Sequence, residues 1–501
     1  MKHLSPELRV PIEEDNPSIK RIENKCIQCG HCSRVCSNYI SVLNHYDLAK
    51  TGGKAICVNC GQCSVECPVD CIVEQIEYDK VKAEIANDDK VVIISTAPSV
   101  RVSIGEMFGL PFGSFVEGKL VALLKKLGFK YVLDVNFGAD LTIVEEANEL
   151  VNRLINNTKP LPQFTSCCPS WVKFLELFYP EMRENLSSCK SPIGMQSATI
   201  KTYFAKKMGI NPTKIVNVAL TPCTAKKMEA KREELNSSAK FNNVENMHDT
   251  DYVITAKELV EWAKQEKIDL NNLQDEPFDK FMGEASGAGV IFGNTGGVTE
   301  AALRTAYKII TKSNPPKDFY ELTQVRGDDG IRTAEIEIAD KKVKVCVIYG
   351  LKNARKVMQE IKDGVHYDFV EVMTCPNGCI GGAGQPKFLS QSDTVIEERK
   401  KSLYKRDSEL KNKISCDNKE IIELYKEFYG KQGSELAEQL LHTTYSDRSG
   451  DLDVESGKQK LIKYRCKTCG ATFEVVDGTQ AVCPMCLAEG DDLEIISERF
   501  V

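Results

Sequence analysis

Cys26-Ile-Gln-Cys29-Gly-His-Cys32-Ser-Arg-Val-Cys36 is answered further along the chain by Cys57-Val-Asn-Cys60-Gly-Gln-Cys63-Ser-Val-Glu-Cys67. Both strings are C-x2-C-x2-C-x3-C runs. Three thiolates at this spacing wrap three corners of an iron–sulfur cubane, and the fourth cysteine of each run crosses to the other cube. The two strings therefore predict two four-iron clusters, one on Cys26, Cys29, Cys32 and Cys67, the other on Cys57, Cys60, Cys63 and Cys36. Two adjacent clusters form an electron wire, and a chain that carries one is expected to hold a redox-active site elsewhere.

Outward from this unit, set at residues 1–85, the texture changes. After Lys90 come apolar, strand-like runs: Val91-Val-Ile-Ile-Ser-Thr, Ile215-Val-Asn-Val-Ala-Leu220 and Val343-Lys-Val-Cys-Val-Ile348. Between them lie amphipathic helical stretches such as 144–156. Short buried strands alternating with helices predict an α/β body with parallel sheet over residues 86–447. Residues 448–460, at the end of a polar stretch rich in Ser, Asp and Gly, read as a linker, and a second cysteine-rich unit occupies 461–501. The fold class expected is a multidomain α/β and α+β chain.

The 501 residues are 42% hydrophobic and 27% charged, the composition of a globular protein with a large core. A net charge of −7 at pH 7 argues against nucleic acid or an acidic membrane surface as partner. The first 25 residues lack an apolar signal core, and no apolar stretch is long enough to span a bilayer, so a cytoplasmic location is expected. The 21 cysteines are clustered as metal ligands are, rather than spread as a disulfide framework.

Three segments of the body combine cysteine with Pro or Gly after an apolar run: Thr165-Ser-Cys167-Cys168-Pro-Ser-Trp171, Thr221-Pro-Cys223-Thr-Ala-Lys226-Lys-Met-Glu229 and Glu371-Val-Met-Thr-Cys375-Pro-Asn-Gly-Cys379. Such sites are strand-end turns, where side chains from distant segments can converge. Five thiols exceed the needs of one cubane. Cys189, Cys346 and Cys416 stand alone and read as small buried hydrophobes.

These three segments resemble, in order, the three signature motifs of the di-iron (FeFe) hydrogenases, and the resemblance covers about residues 1–445. It implies an H-cluster: a four-iron cubane joined to a di-iron unit that bears carbon monoxide, cyanide and an azadithiolate. Carried over, it implies that Cys168, Cys223, Cys375 and Cys379 hold the cubane and that Cys379 also bridges to the di-iron unit. Cys167 would be unligated, the first proton donor and acceptor. Glu146, Ser187, Glu149 and Arg153 would relay protons, and Lys226 would sit beside a cyanide. Ala97, Pro98, Ser99, Ser191, Phe292 and Met373 would contact the cofactor. The sequence alone puts Glu146, Glu149 and Arg153 on one helix face, as a relay requires; on its own such a face more often marks a solvated charge stripe. Thr221 and Ile193 depart from the family pattern, standing where studied members carry Met and Gln.

The activity implied is reversible reduction of protons to molecular hydrogen. Ferredoxin or a similar low-potential carrier is the expected electron partner, and hydrogenase maturation proteins supply the cofactor. A hydrogen sensor or an iron–sulfur assembly protein on the same scaffold is the rival; assembly relatives lose the di-iron environment, whereas Cys167, Lys226 and the relay glutamates are present here.

Two features outside the resemblance complete the reading. Gly113-Ser-Phe-Val-Glu-Gly118-Lys119-Leu120 nearly spells a phosphate-binding loop but ends in Leu, without the hydroxyl that magnesium needs. Cys466-Lys-Thr-Cys469 and Cys483-Pro-Met-Cys486 form two knuckles suited to one iron or zinc and resemble rubredoxin, although Leu487 replaces the usual glycine.

Overall fold

The computed structural model describes residues 8–454, 460–476 and 480–500. Its body is built on two four-stranded sheets. In the first, Val91–Thr96 lies between Tyr131–Asp134 and Ile215–Thr221, with Tyr252–Thr255 beyond, and all four strands run parallel. Ile215–Thr221 is buried at every position, as a central strand covered on both faces must be. In the second, Phe369–Met373 pairs in parallel with Gln163–Phe164 and Lys341–Tyr349, and Ile331–Ile338 closes the edge antiparallel. The three apolar runs read from the sequence fall inside these strands.

The helix Val135–Asn156 begins well before the stretch 144–156 that periodicity suggests. Its first turns, Val135-Asn-Phe-Gly-Ala-Asp-Leu, are buried around the whole circumference and carry no amphipathic stripe. Asp134 caps it, its carboxylate accepting the N–H of Asn136 at 2.7 Å. A Cβ on Gly138 would lie 2.4 Å from the carbonyl oxygen of Pro192, so glycine there allows the helix Pro192–Thr199 to approach.

The amino-terminal unit holds a short antiparallel pair, Ile19–Arg21 with Ile72–Glu74, and two helices, His31–Asn38 and Gln62–Val65. Each helix follows a glycine with left-handed φ, Gly30 and Gly61, so the repeated string folds as a repeated turn. Residues 445–454 are not a free tether. Ser446 N–H donates to Glu176 Oε1 at 3.0 Å, Arg448 Nε to Glu176 Oε2 at 3.1 Å, and Val454 N–H to the Lys50 carbonyl at 3.0 Å. The remainder of the expected linker, 455–459, lies outside the described residues, as do residues 1–7 of the first unit and 477–479 and 501 of the last. The carboxy-terminal unit is a three-stranded antiparallel sheet with Lys460–Cys466 at its centre. Among the described residues no helix is long and apolar enough to cross a membrane.

Candidate active site

The three cysteine segments leave the carboxyl ends of Gln163–Phe164, Ile215–Thr221 and Phe369–Met373, and Ala97-Pro98-Ser99 leaves that of Val91–Thr96. In parallel α/β sheets this is the side on which ligands bind. The loops meet around a cavity. Cys167, Cys168, Cys223, Cys375 and Cys379 line it together with Ala97, Pro98, Ser99, Lys226, Phe292 and Met373.

Ser191 does not line the cavity. Its hydroxyl donates to Glu229 Oε2 at 3.1 Å, and the Glu229 carboxylate accepts from Lys226 Nζ at 2.8 and 2.9 Å. Lys226 also donates to the Cys167 carbonyl at 3.2 Å. Burial alone would lower the lysine's pKa, but Glu229 outweighs it and the net shift is upward. Glu229 is therefore the counter-ion that sequence reasoning missed; its position three residues after Lys226 on a short helix was the available signal. Thr221 is buried, its hydroxyl accepting the Cys223 N–H at 3.0 Å, and Ile193 gives the cavity wall an apolar side chain.

The cavity suits a bulky group with polar ligands. Ser99 Oγ is buried beside it with no partner, and Cys168 Sγ has only the Thr374 hydroxyl, at 3.3 Å. A Cβ on Gly382 would lie 2.4 Å from the Pro222 carbonyl oxygen, so these walls leave no space for side chains between the loops. Burial first, then the neighbouring thiols, push the Cys223 thiol up to about 11 and raise Cys375 well above its usual value. Metal ligation would have to displace those protons.

Glu146, Glu149 and Arg153 share one face of the long helix and are 1%, 9% and 0% exposed, so the face is buried and no solvated stripe exists. Arg153 Nη2 donates to Glu149 Oε1 at 2.7 Å, and Ser187 Oγ donates to Glu149 Oε2 at 3.0 Å. Ser187 also interacts with the Glu146 carboxyl, whose Oε2 is buried without a partner. Burial and repulsion from Glu149 push Glu146 up to about 8. Burial would raise Glu149 too, but Arg153 and Lys159 bring it below the usual carboxylate value. Cys167, in electrostatic contact with Glu146, is raised well above a normal thiol, mainly by burial.

A family model for the C-terminal domain of the iron-only hydrogenase large subunit matches residues 90–383, and one for the iron hydrogenase small subunit matches 393–448. The chain belongs to the iron-only hydrogenase family. NADP-reducing hydrogenase subunit HndD of Solidesulfovibrio fructosivorans is 42% identical over 449 residues, which cover 86% of this chain and 75% of that one. Iron hydrogenase 1 of Clostridium pasteurianum is 40% identical over 451 residues, covering 87% and 77%. The solved apo FeFe-hydrogenase HydA1 from Chlamydomonas reinhardtii matches with a TM-score of 0.65 at 38% identity, over 74% of this chain and 99% of that one. An iron-only hydrogenase is an oxidoreductase of hydrogen and protons, and its cofactors are the H-cluster and iron–sulfur clusters.

In this hydrogenase the two cysteine strings interleave. Cys36 acts electrostatically on Cys57, and Cys63 on Cys60, Cys57 and Cys36, while Cys67 and Cys26 share a neighbour in Cys71. Cys60 in turn is in reach of Cys223 and Cys375, across the boundary with the body. Cys29 is exposed, with the 61% exposed Ile27 beside it, which puts the outer string at the surface. Cys71 was not singled out from sequence; it is buried, its Sγ 3.4 Å from that of Cys67.

In the hydrogenase's tail, the sulfurs of Cys466, Cys469, Cys483 and Cys486 lie within 4.8 Å of one another, an array for one tetrahedral iron or zinc. The loop that imitates a phosphate site is occupied by the protein itself: Lys119 Nζ donates to the carbonyls of Asn271 at 3.2 Å and Leu273 at 2.6 Å.

Proposed function

We propose that this hydrogenase reversibly converts protons and electrons to hydrogen at a centre held in the cysteine cavity, with Cys167 as its proton contact. Cys168, Cys223, Cys375 and Cys379 would hold the cubane, and Cys379 would join it to the di-iron unit. When bound, the centre would supply the redox chemistry of iron.

The chain's own residues do the rest. Lys226, kept charged by Glu229, offers a cation to an anionic ligand. Ser99 offers an unused hydroxyl, and Ala97, Pro98, Phe292 and Met373 keep water out. Cys167 and Glu146, both held protonated near neutral pH by burial, are suited to hand on a proton. Ser187 and Glu149 extend that route; Arg153, expected to relay protons, instead holds Glu149 in place because its guanidinium keeps its proton, and Ser191 holds Glu229.

Electrons would arrive from ferredoxin or a similar low-potential carrier at the exposed Cys29 end, cross through Cys60 and reach Cys223 and Cys375. The tail metal, as iron, would be a further electron site. Maturation proteins would load the cavity. The isolated, buried Cys189 and Cys346 stay unpaired, which fits a cytoplasmic, reducing location.

The observation that carries this reading is the convergence of five cysteines and Lys226 on one cavity at the strand ends. The test is anaerobic hydrogen evolution from reduced viologen by protein loaded with a synthetic di-iron cofactor. Rapid evolution that collapses in Cys167→Ala supports it; no hydrogen from demonstrably loaded protein overturns it.

A further inference from the structure

Glu149 links the relay to the outside of the long helix, yet Arg153 gives it no outlet. Arg153 is fully buried, and besides Glu149 its guanidinium donates to the carbonyls of Pro160, Glu184, Asn185 and Leu186. A guanidinium does not release its proton in a protein.

A second set of groups reaches Glu149 from the carboxy-terminal segment of the hydrogenase domain. Ser188 donates its N–H to Glu149 Oε2 at 3.0 Å and its hydroxyl at 3.3 Å. The same hydroxyl lies 2.9 Å from His442 Nδ1, so while its own proton points to Glu149 it accepts from Nδ1–H. His442 Nε2 lies 3.3 Å from Glu145 Oε2, which is an acceptor. With both ring nitrogens donating, the protonated imidazole bridges the Ser188 hydroxyl and the Glu145 carboxylate. Toward solvent, Glu438, one turn earlier on the helix Glu435–Leu441, brings Oε2 to 3.7 Å from Nδ1, and its side chain is 56% exposed.

We propose that His442 is a second proton inlet to the relay, joining Glu438 at the surface to Glu149 through the Ser188 hydroxyl. The Nδ1–H bond breaks as Ser188 Oγ takes that proton, and the proton formerly on Ser188 passes to Glu149 Oε2. His442 is left neutral with its remaining proton on Nε2 toward Glu145. Once Glu149 has passed its proton inward and the Ser188 hydroxyl has turned back toward it, the freed Nδ1 lone pair takes a proton from Glu438 or from solvent water, without a ring flip. Hydrogen oxidation runs the same transfers in reverse.

The surroundings favour this use. Glu145 and Glu149 face the ring from the long helix and Glu438 from its own segment; Cys189 pairs with His442 through an antiparallel backbone bridge. Arg153 and Lys159 act through Glu149, and Tyr425 donates to Glu145. Burial would lower the imidazole's pKa, but Glu145 leads the carboxylates in setting it above the usual value. Glu149, Cys189 and His442 also bring ligand atoms within 4.8 Å, but the two cations already on Glu149 oppose a metal ion there.

The proposal rests on the hydrogenase reading, and its test separates the two. Hydrogen evolution is measured against pH in the loaded enzyme and in His442→Gln and Glu438→Gln. The expected result is a loss of roughly five- to tenfold in His442→Gln, a smaller loss in Glu438→Gln, and an altered pH profile in both. In parallel, histidine NMR follows the titration of His442 in protein carrying its clusters but no di-iron unit, and Glu438→Gln is expected to lower its midpoint. With six histidines in the chain, His442→Gln identifies the resonance. Wild-type rate and pH profile in His442→Gln overturn the inlet, as does a loss found in Lys159→Gln but not in His442→Gln. If His442→Gln fails to fold, an unchanged rate and profile in the surface variant Glu438→Gln overturn it. If the loaded parent evolves no hydrogen, the hydrogenase reading fails, and a His442 titration indifferent to both Glu438→Gln and Glu149→Gln overturns the inlet independently.

Discussion

Gly61 and Thr224 are pressed together so closely that a side chain on Gly61 would place its Cβ 2.4 Å from Thr224 Oγ1. Gly61 follows Cys60, and Thr224 follows Cys223, so this contact sets how near the second cluster string comes to the active-site cavity. Thr224 Oγ1 donates to the Asn59 carbonyl at 3.1 Å, and Gln62 Nε2 to the Gly381 carbonyl at 3.1 Å, pinning the same junction. Gly61 also has a φ of +70°, which costs an L-residue roughly 1–2 kcal/mol. Gly61→Ala should keep its iron yet lower the unfolding midpoint and slow viologen-driven reduction of the cavity centre. Stopped-flow reduction checks this, and Thr224→Ala in the same chain should recover part of the rate.

Lys226 and Glu229 should behave as a unit. Both are buried, and removing one partner of a buried ion pair costs about 3–5 kcal/mol because the other charge is stranded. Glu229→Gln is therefore expected to destabilise the protein more than the double variant Lys226→Met/Glu229→Gln. Thermal unfolding of the four proteins of the cycle measures the coupling; additive losses would show that the pair is not held as described. Ser191→Ala, which removes one hydrogen bond to Glu229, should cost only about 1 kcal/mol.

Glu146 gives a pH signature. Its carboxyl is pushed up to about 8 in the fold, from an ordinary value of 4.5. Below that ordinary value both folded and unfolded chains are protonated, and the full stability is present. As pH rises toward 8 the unfolded chain ionises while the folded one keeps its proton, so stability falls, and it levels off above about 8. Glu146→Gln should match the wild type at low pH and exceed it by a few kcal/mol above pH 8, an order-of-magnitude figure from the shift. Unfolding midpoints across that window check it, and the rate of proton-dependent turnover should decline only as pH passes through about 8, where the folded carboxyl ionises.

Much of the site was legible because its chemistry is local. The strings at Cys26 and Cys57, the strand runs before Cys167, Cys223 and Cys375, and the knuckles at Cys466 and Cys483 each declare themselves within a dozen residues. What was not legible depends on partners distant in sequence. Glu145 looks like one more acid on a helix until Tyr425, Gly433 and His442 arrive from the carboxy-terminal segment to surround it. His442 carries no signal of its own in the sequence; it is a partner of Glu145, and its contact with Ser188 was invisible without the fold. The start of the long helix was missed because a segment buried on all sides has no amphipathic period to detect. Residues 448–454 looked like linker by composition, yet Glu176 and Lys50 hold them, largely through backbone groups that any sequence possesses.

The tail offers a prediction independent of hydrogen chemistry. Leu487 sits directly after Cys486 with a φ of +60°, a left-handed conformation that costs a leucine roughly 1–2 kcal/mol and costs glycine almost nothing. Its N–H donates to the Cys483 carbonyl at 2.9 Å, so the turn cannot relax without opening the knuckle. The leucine is 75% exposed and recovers little by burial. Leu487→Gly should therefore bind metal more tightly, and a chelator should strip the metal from the full-length protein several-fold more slowly than from the wild type. Loss of the metal should unfold the three-stranded sheet, because a unit this small has too little core to stand without its staple. Absorbance during stripping reports both the rate and the metal: a red ferric–thiolate band that bleaches marks iron, and a colourless protein that releases zinc to an indicator marks a structural site. Equal stripping rates in the two proteins would show that Leu487 is not strained, and that its turn is set by something other than the metal knuckle.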